Sequence, residues 1–269
     1  MRRTPTLILA LLLWAVPAAA QQLDGVAVAR ELYNREQYEA AIEAATAARV
    51  GGGDASEAAA VVLARAHLER YRQTRDGAHL TAARDALRDL NPSSLSPRER
   101  AEFTVGLGEW LFLHDRFGAA AELFDSALGL ESGLDARARD RVLDWWATAI
   151  DRHAQVTPTH RQALYGRILD RMTEELRRIP TSIAAGYWLA AAARGLGDLD
   201  RAWNAAVAGW LRARTAPDYG AALRADLDRL VQTAIIPERA RELAHPSGDP
   251  TATANGLTAE WERFKTDWN

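Results

Sequence analysis

Six histidines, His67, His79, His114, His153, His160 and His245, are the side chains best suited to bind a metal or move a proton near neutral pH. A zinc helix of the HExxH type needs two of them at i and i+4, so that both rings leave one helix face beside a glutamate base. No pair has that spacing. His153 and His160, seven apart around Thr157-Pro158, read as surface loop positions. Gly106-x-Gly108 lacks the third glycine of a dinucleotide loop and lies in a helical pattern, where it reads as a close helix crossing. Gly51-Gly52-Gly53 lacks the Lys-Ser/Thr of a phosphate loop, and no GxSxG nucleophile elbow occurs. Acid pairs such as Glu174-Glu175 read as a solvated helix face rather than a glycosidase pair. With no cysteine, thiolate chemistry and iron–sulfur clusters are excluded. The expectation is a chain with no catalytic residues, no metal and no cofactor; that is, no enzyme.

Charge adds little. The 33 basic and 36 acidic residues give a formal net charge of −3, without the basic footprint of a nucleic-acid binder. Arg137, Arg139 and Arg141 are interleaved with Asp135 and Asp140, and Arg177-Arg178 follow Glu174-Glu175, so intrahelical pairing is expected. Tryptophan is more informative. Trp110, Trp145, Trp146, Trp188, Trp203, Trp210, Trp261 and Trp268 suit gap-filling between helices, with a binding groove as the alternative.

These side chains need elements to position them, and 269 residues suffice for a sizeable core. Residues 1–20 read as a signal peptide: Arg2-Arg3, an apolar run too short to span a bilayer, then Ala18-x-Ala20 before Gln21. The product is expected to be periplasmic or secreted, without membrane insertion after cleavage. From 23 onward Ala, Leu, Arg and Glu dominate, apolar residues recur at three and four, and strands are not supported. Breakers divide the chain into helix pairs, which suggests repeats.

Four quartets share spacings of 3, 4 and 3: Tyr38, Ala41, Ala45, Ala48; Leu80, Ala83, Leu87, Leu90; Phe117, Ala120, Phe124, Ala127; and Leu199, Ala202, Ala206, Gly209. Their starts are separated by 42, 37 and 82 residues, so a degenerate unit is expected in the last gap, its second helix near 159–179. Leu107-Gly108, Leu111, Phe117 and Ala120, with Leu189-Ala190, Gly197-Asp198-Leu199 and Ala202, resemble the tetratricopeptide repeat (TPR) pattern. Small residues let two helices cross closely, here Gly108 against Ala120 and Ala190 against Ala202. Gly197 suits a left-handed helix stop and Asp198 the next helix start. The resemblance implies an all-α, right-handed α-solenoid of about five TPR-like hairpins over 21–244, with C-terminal capping helices. Another α-solenoid and a helical bundle are the alternatives.

In the TPR family the first helix of each hairpin lines a concave groove. That puts Glu109 and Phe112, then Asp144, Thr148, Asp151 and Arg152, then Tyr187 and Arg194 in a groove binding a protein or peptide partner. The implied role is an exported envelope scaffold. The alternatives are a periplasmic solute-binding component of a transport system and a superhelical cell-wall enzyme. A linker is expected over 245–256, followed by an amphipathic helix over 257–269 that Thr258 caps. Its stripe Leu257, Trp261, Phe264 and Trp268 would dock on the same chain or on a second subunit, giving a homo-oligomer. Intact-mass analysis of protein from the native host should give a chain beginning at Gln21; retention of Met1 would refute export.

Overall fold

The computed structural model describes residues 18–130, 133–216, 220–244 and 248–268, and among them every regular element is helical. The expected signal segment lies almost wholly outside them, α1 beginning at Ala18. The chain divides into two compact units, 1–99 and 100–269. The first holds α1 (Ala18–Asn34), α2 (Tyr38–Ala48), α3 (Asp54–Thr74) and α4 (Gly77–Arg88). The second holds most of α5 (Pro97–Leu113), then α6 (Phe117–Leu128), α7 (Ala136–Val156), α8 (Arg161–Arg178), α9 (Ile183–Gly195) and α10 (Leu199–Ala213). It ends with α11 (Gly220–Leu230), α12 (Ile236–Leu243) and α13 (Pro250–Asp267).

Local chemistry explains the boundaries. Asp76, Asp135, Ser182 and Asp198 each accept a hydrogen bond from a backbone N–H in the first turn of the helix that follows, satisfying a donor no helical carbonyl reaches. Before α5, Ser96 and Glu99 form a reciprocal capping box, with Ser96 N to Glu99 Oε2 at 2.9 Å. One turn geometry recurs within the hairpins. Glu36, Arg75, Asp115 and Gly197 have φ of 61°, 60°, 57° and 81°, each two residues before its hairpin's second helix. In three of these turns the N–H of the next residue reaches a carbonyl five residues back: Gln37 to Leu32, Arg116 to Leu111, Asp198 to Ala193. The α7–α8 connection instead uses a short 3₁₀ turn, Pro158–His160.

Packing follows the quartets. Ala41, Ala83, Ala120 and Ala202 have no exposed surface, and the two later positions of every quartet are also buried. The leading residues are half-buried at Tyr38, Leu80 and Phe117 and buried at Leu199. One expected detail is different: a Cβ on Gly108 would meet not Ala120 but the Phe124 ring, at 2.7 Å. Likewise Gly209 lies where a Cβ would stand 3.0 Å from Leu227 and 3.3 Å from the Gly186 carbonyl. Second helices begin where expected at Tyr38, Phe117 and Leu199; α4 starts three residues before Leu80, and α8 begins at Arg161 after the 3₁₀ turn. In the second unit α7 packs on α8 and α9, α9 on α8, α10 and α11, and α12 on α13.

At the C-terminal end, α11 and α12 are not separate helices but one helical run joined by a π turn, Val231–Ile235. Pro237 follows it, and a proline ring displaces the i−4 carbonyl, which the wider turn accommodates. Positions 217–219, just before α11, lie outside the described residues, as do 245–247 of the expected linker. α13 starts at Pro250, seven residues before the expected helix, with Asp249 capping through the Thr251 N–H at 2.8 Å. Thr258 is internal, and its hydroxyl donates back to the Ala254 carbonyl.

Crowding at the crossings generates a testable consequence. Gly108→Ala and Ala202→Leu should each lower stability by roughly 1–3 kcal/mol through overpacking. Unchanged chemical-denaturation midpoints for both would show that the crossings are loose.

Candidate functional site

On α7, Arg137, Asp140, Arg141, Asp144, Thr148, Asp151 and Arg152 recur every three or four residues, so they share one face of the helix. That polar stripe forms one wall of a cleft of about 810 Å³. α9 contributes Ile183, Tyr187 and Trp188, and Leu223 and Asp226 come from α11. Ile179, just past α8, adds apolar surface. Five of the eight groove residues anticipated from sequence, Asp144, Thr148, Asp151, Arg152 and Tyr187, are therefore brought together.

The other three have different surroundings. Glu109 is fully buried and presents no groove surface. Phe112 is half-buried with its ring edge-on to Phe117 at 5.2 Å, inside its hairpin. Arg194 grips Glu238 of α12 through Nε, at 3.1 and 3.0 Å from the two carboxylate oxygens. Its charge is thereby committed to the neighbouring helix, and it does not line the cleft.

Second-order contacts hold the cleft walls. Asp140 accepts from the Ser182 hydroxyl at 2.5 Å and the Ala184 N–H at 3.3 Å, tying α7 to the start of α9. Asp144 Oδ1 accepts from Trp188 Nε1 at 2.8 Å. Asp151 accepts from the Tyr165 hydroxyl at 2.6 Å and from Gln155 at 2.7 Å. Burial, reinforced by that bond to Asp151, pushes the Tyr165 phenol up to about 12. Burial also raises the Asp144 carboxyl above the usual carboxylate range, with Asp140 and Asp226 adding like charge against the Trp188 bond. The Tyr187 phenol is raised by burial and then by Asp226, Asp144 and Asp151 around it.

At the cleft wall, two expectations fail together. Glu175 is not on a solvated face but is buried, and Arg139 does not pair within its own helix. Arg139 Nε and Nη2 each lie 3.2 Å from a Glu175 oxygen, while Nη1 donates to the Leu128 carbonyl at 2.7 Å. Burial would raise the Glu175 carboxyl, but the bonds from Arg139 and Arg178 outweigh it and hold the carboxyl below its usual range. Arg177–Glu174 and Arg178–Glu175 are the intrahelical pairs expected. Helical periodicity alone could not find the Arg139–Glu175 pair, because its partners are 36 residues apart.

Most tryptophans fill gaps. Trp146 is 1% exposed with the Arg167 and Arg171 guanidinium groups 5.6 and 5.4 Å from its ring centre. In α13, Leu257 and Trp261 are buried, and Trp261 meets Trp203 and Trp210 of α10 edge-on at 5.8 and 5.5 Å. Phe264 stacks on Trp261 at 5.4 Å, and Trp261 Nε1 donates to Asp228 Oδ1 at 2.7 Å. The tail stripe thus docks on its own chain, outside the cleft. Its last member, Trp268, is 47% exposed.

The histidine pair that spacing rules missed lies in the first unit. His67 and His79, twelve apart on α3 and α4, face each other with Nδ1 atoms 3.0 Å apart. No cluster of three or more metal-ligating side chains occurs among the described residues. No family model, characterised protein or solved structure shows a match to this chain.

Burial, then the His79 charge, lowers the His67 pKa from 6.5 to about 4. The folded state therefore binds fewer protons than the unfolded chain at this position, which costs nothing above pH 6.5. The cost grows as pH falls from 6.5 to about 4 and levels off below. Thermal melts of the wild type and His67→Gln should diverge across that interval, the wild type losing more; a constant difference would refute it.

Proposed function

We propose that this chain is an exported scaffold of the TPR-like α-solenoid class, right-handed, with about five hairpins and C-terminal capping helices. It binds a segment of a protein or peptide partner in the cell envelope through the groove of its first helices. The carrying observation is the cleft of about 810 Å³ that gathers Asp144, Thr148, Asp151, Arg152 and Tyr187 from alternate helices. The recurring hairpin turns and the buried quartets support the repeat reading. A second reading, a solute-binding component of a transport system, is favoured by the cleft volume, which is within the range for small-molecule sites.

A photo-crosslinking residue at Thr148, compared with one at exposed Val156 on the same helix, tests both. In envelope extract, a discrete protein adduct at position 148 alone supports the scaffold. Equal labelling at both positions would overturn it, and a small-molecule adduct at 148 by mass would favour the solute reading.

A further inference from the structure

The cleft has a charge arrangement that selects among partners, and this step rests on the groove reading above. Along the α7 stripe the two signs are separated by depth. Asp140, Asp144 and Asp151 are half-buried, whereas Arg137, Arg141 and Arg152 are exposed at the rim. Not every carboxylate is available. Asp140 is committed to the Ser182 hydroxyl and the Ala184 N–H, and Asp151 to Tyr165 and Gln155. Glu175 is held by Arg139 and Arg178.

Two remain. Asp144 uses one oxygen for Trp188, and among the described residues its other oxygen accepts no hydrogen bond. Asp226 has only a 3.3 Å ion pair with exposed Arg229, which solvent screens. These two acids belong to α7 and α11, the helices on either side of α9, and Tyr187 of α9 lines the cleft with them. The apolar walls are Ile179, Ile183 and Leu223.

We infer that the cleft takes a cationic side chain of the partner segment, a lysine or arginine, with its charged head between Asp144 and Asp226. Its methylene stem lies along Tyr187 and the apolar walls. A phenol ring flanked by carboxylates is suited to an amine or guanidinium, which gains ring attraction and charge pairing at once. The arginine rim selects against a uniformly basic segment, so acidic residues beside the inserted cation fit the rim.

The test uses the mature chain and three fluorescein-labelled nine-residue peptides on one Ser/Ala/Leu backbone. They carry two Lys, two Gln or two Glu at the same positions, and binding is read by fluorescence anisotropy. The Lys peptide should bind at least ten-fold tighter than the Gln peptide. That preference should vanish in Asp144→Asn with Asp226→Asn, where the amide oxygen at position 144 still accepts the Trp188 N–H. It should persist in Asp85→Asn with Asp89→Asn, which removes equal charge from an exposed face of the first unit, outside the cleft lining. Melting curves of both variants establish that each is folded. Equal binding of Lys and Gln peptides, or tighter binding of Glu, would overturn the cation inference and leave the groove reading standing. A Lys preference lost equally in both double variants means unspecific attraction and also overturns it. Binding of none of the three overturns both.

Discussion

A helix pair can close on itself only where the crossing residue takes almost no room, and much of this protein depends on that constraint. Ala41, Ala83, Ala120 and Ala202 sit fully buried at the same place in four second helices, and Gly108 leaves space that the Phe124 ring fills. Close crossing brings the backbone of one helix within van der Waals reach of the next, so dispersion contacts are dense even though alanine buries little area itself. The larger residues then fill the space that the small ones leave. Phe124, Trp146, Ile168 and Met172 are almost fully enclosed there. Small at the crossing and large beside it is a single arrangement, and the left-handed residue two places before each second helix in four hairpins sets its register.

On that frame the polar contacts connect elements that the chain keeps far apart. Asp140 joins α7 to the start of α9, Arg139 joins α7 to Glu175 of α8, and Asp125 of α6 accepts from Arg167 and Arg171 of α8. Glu175 is a buried charge, so its value lies in being fully partnered; removing Arg139 alone would leave a carboxylate with a reduced shell in an apolar setting. The same contacts orient α7, which carries the cleft's polar stripe, so the stability of the second unit and the geometry of the cleft are coupled.

Sequence reasoning read the periodic features well because they are repeated and local. The quartets, the Gly197 turn and the Asp198 cap follow from helix period and left-handed backbone rules, and all appear as expected. Of the positions transferred by repeat register, Asp144, Thr148, Asp151, Arg152 and Tyr187 line one cleft. Glu109 is buried instead, and Arg194 is drawn to Glu238, 44 residues further along the chain, a pairing that repeat register does not reveal. His67 with His79, and Arg139 with Glu175, were illegible for the same reason. The start of α13 was missed because Thr, Asn and Gly between 251 and 256 look like a linker; Asp249 and Pro250 supply a start strong enough to carry the helix through them.

The docking of α13 also covers an aromatic surface. Trp203 and Trp210 on α10 form that surface, and Trp261 occupies it. Asp228 fixes that occupant through both the Trp261 N–H and the Lys265 ammonium, each at 2.7 Å. The tail thus keeps two indole faces out of water, and its loss would leave a wet apolar patch of the kind that promotes non-specific association.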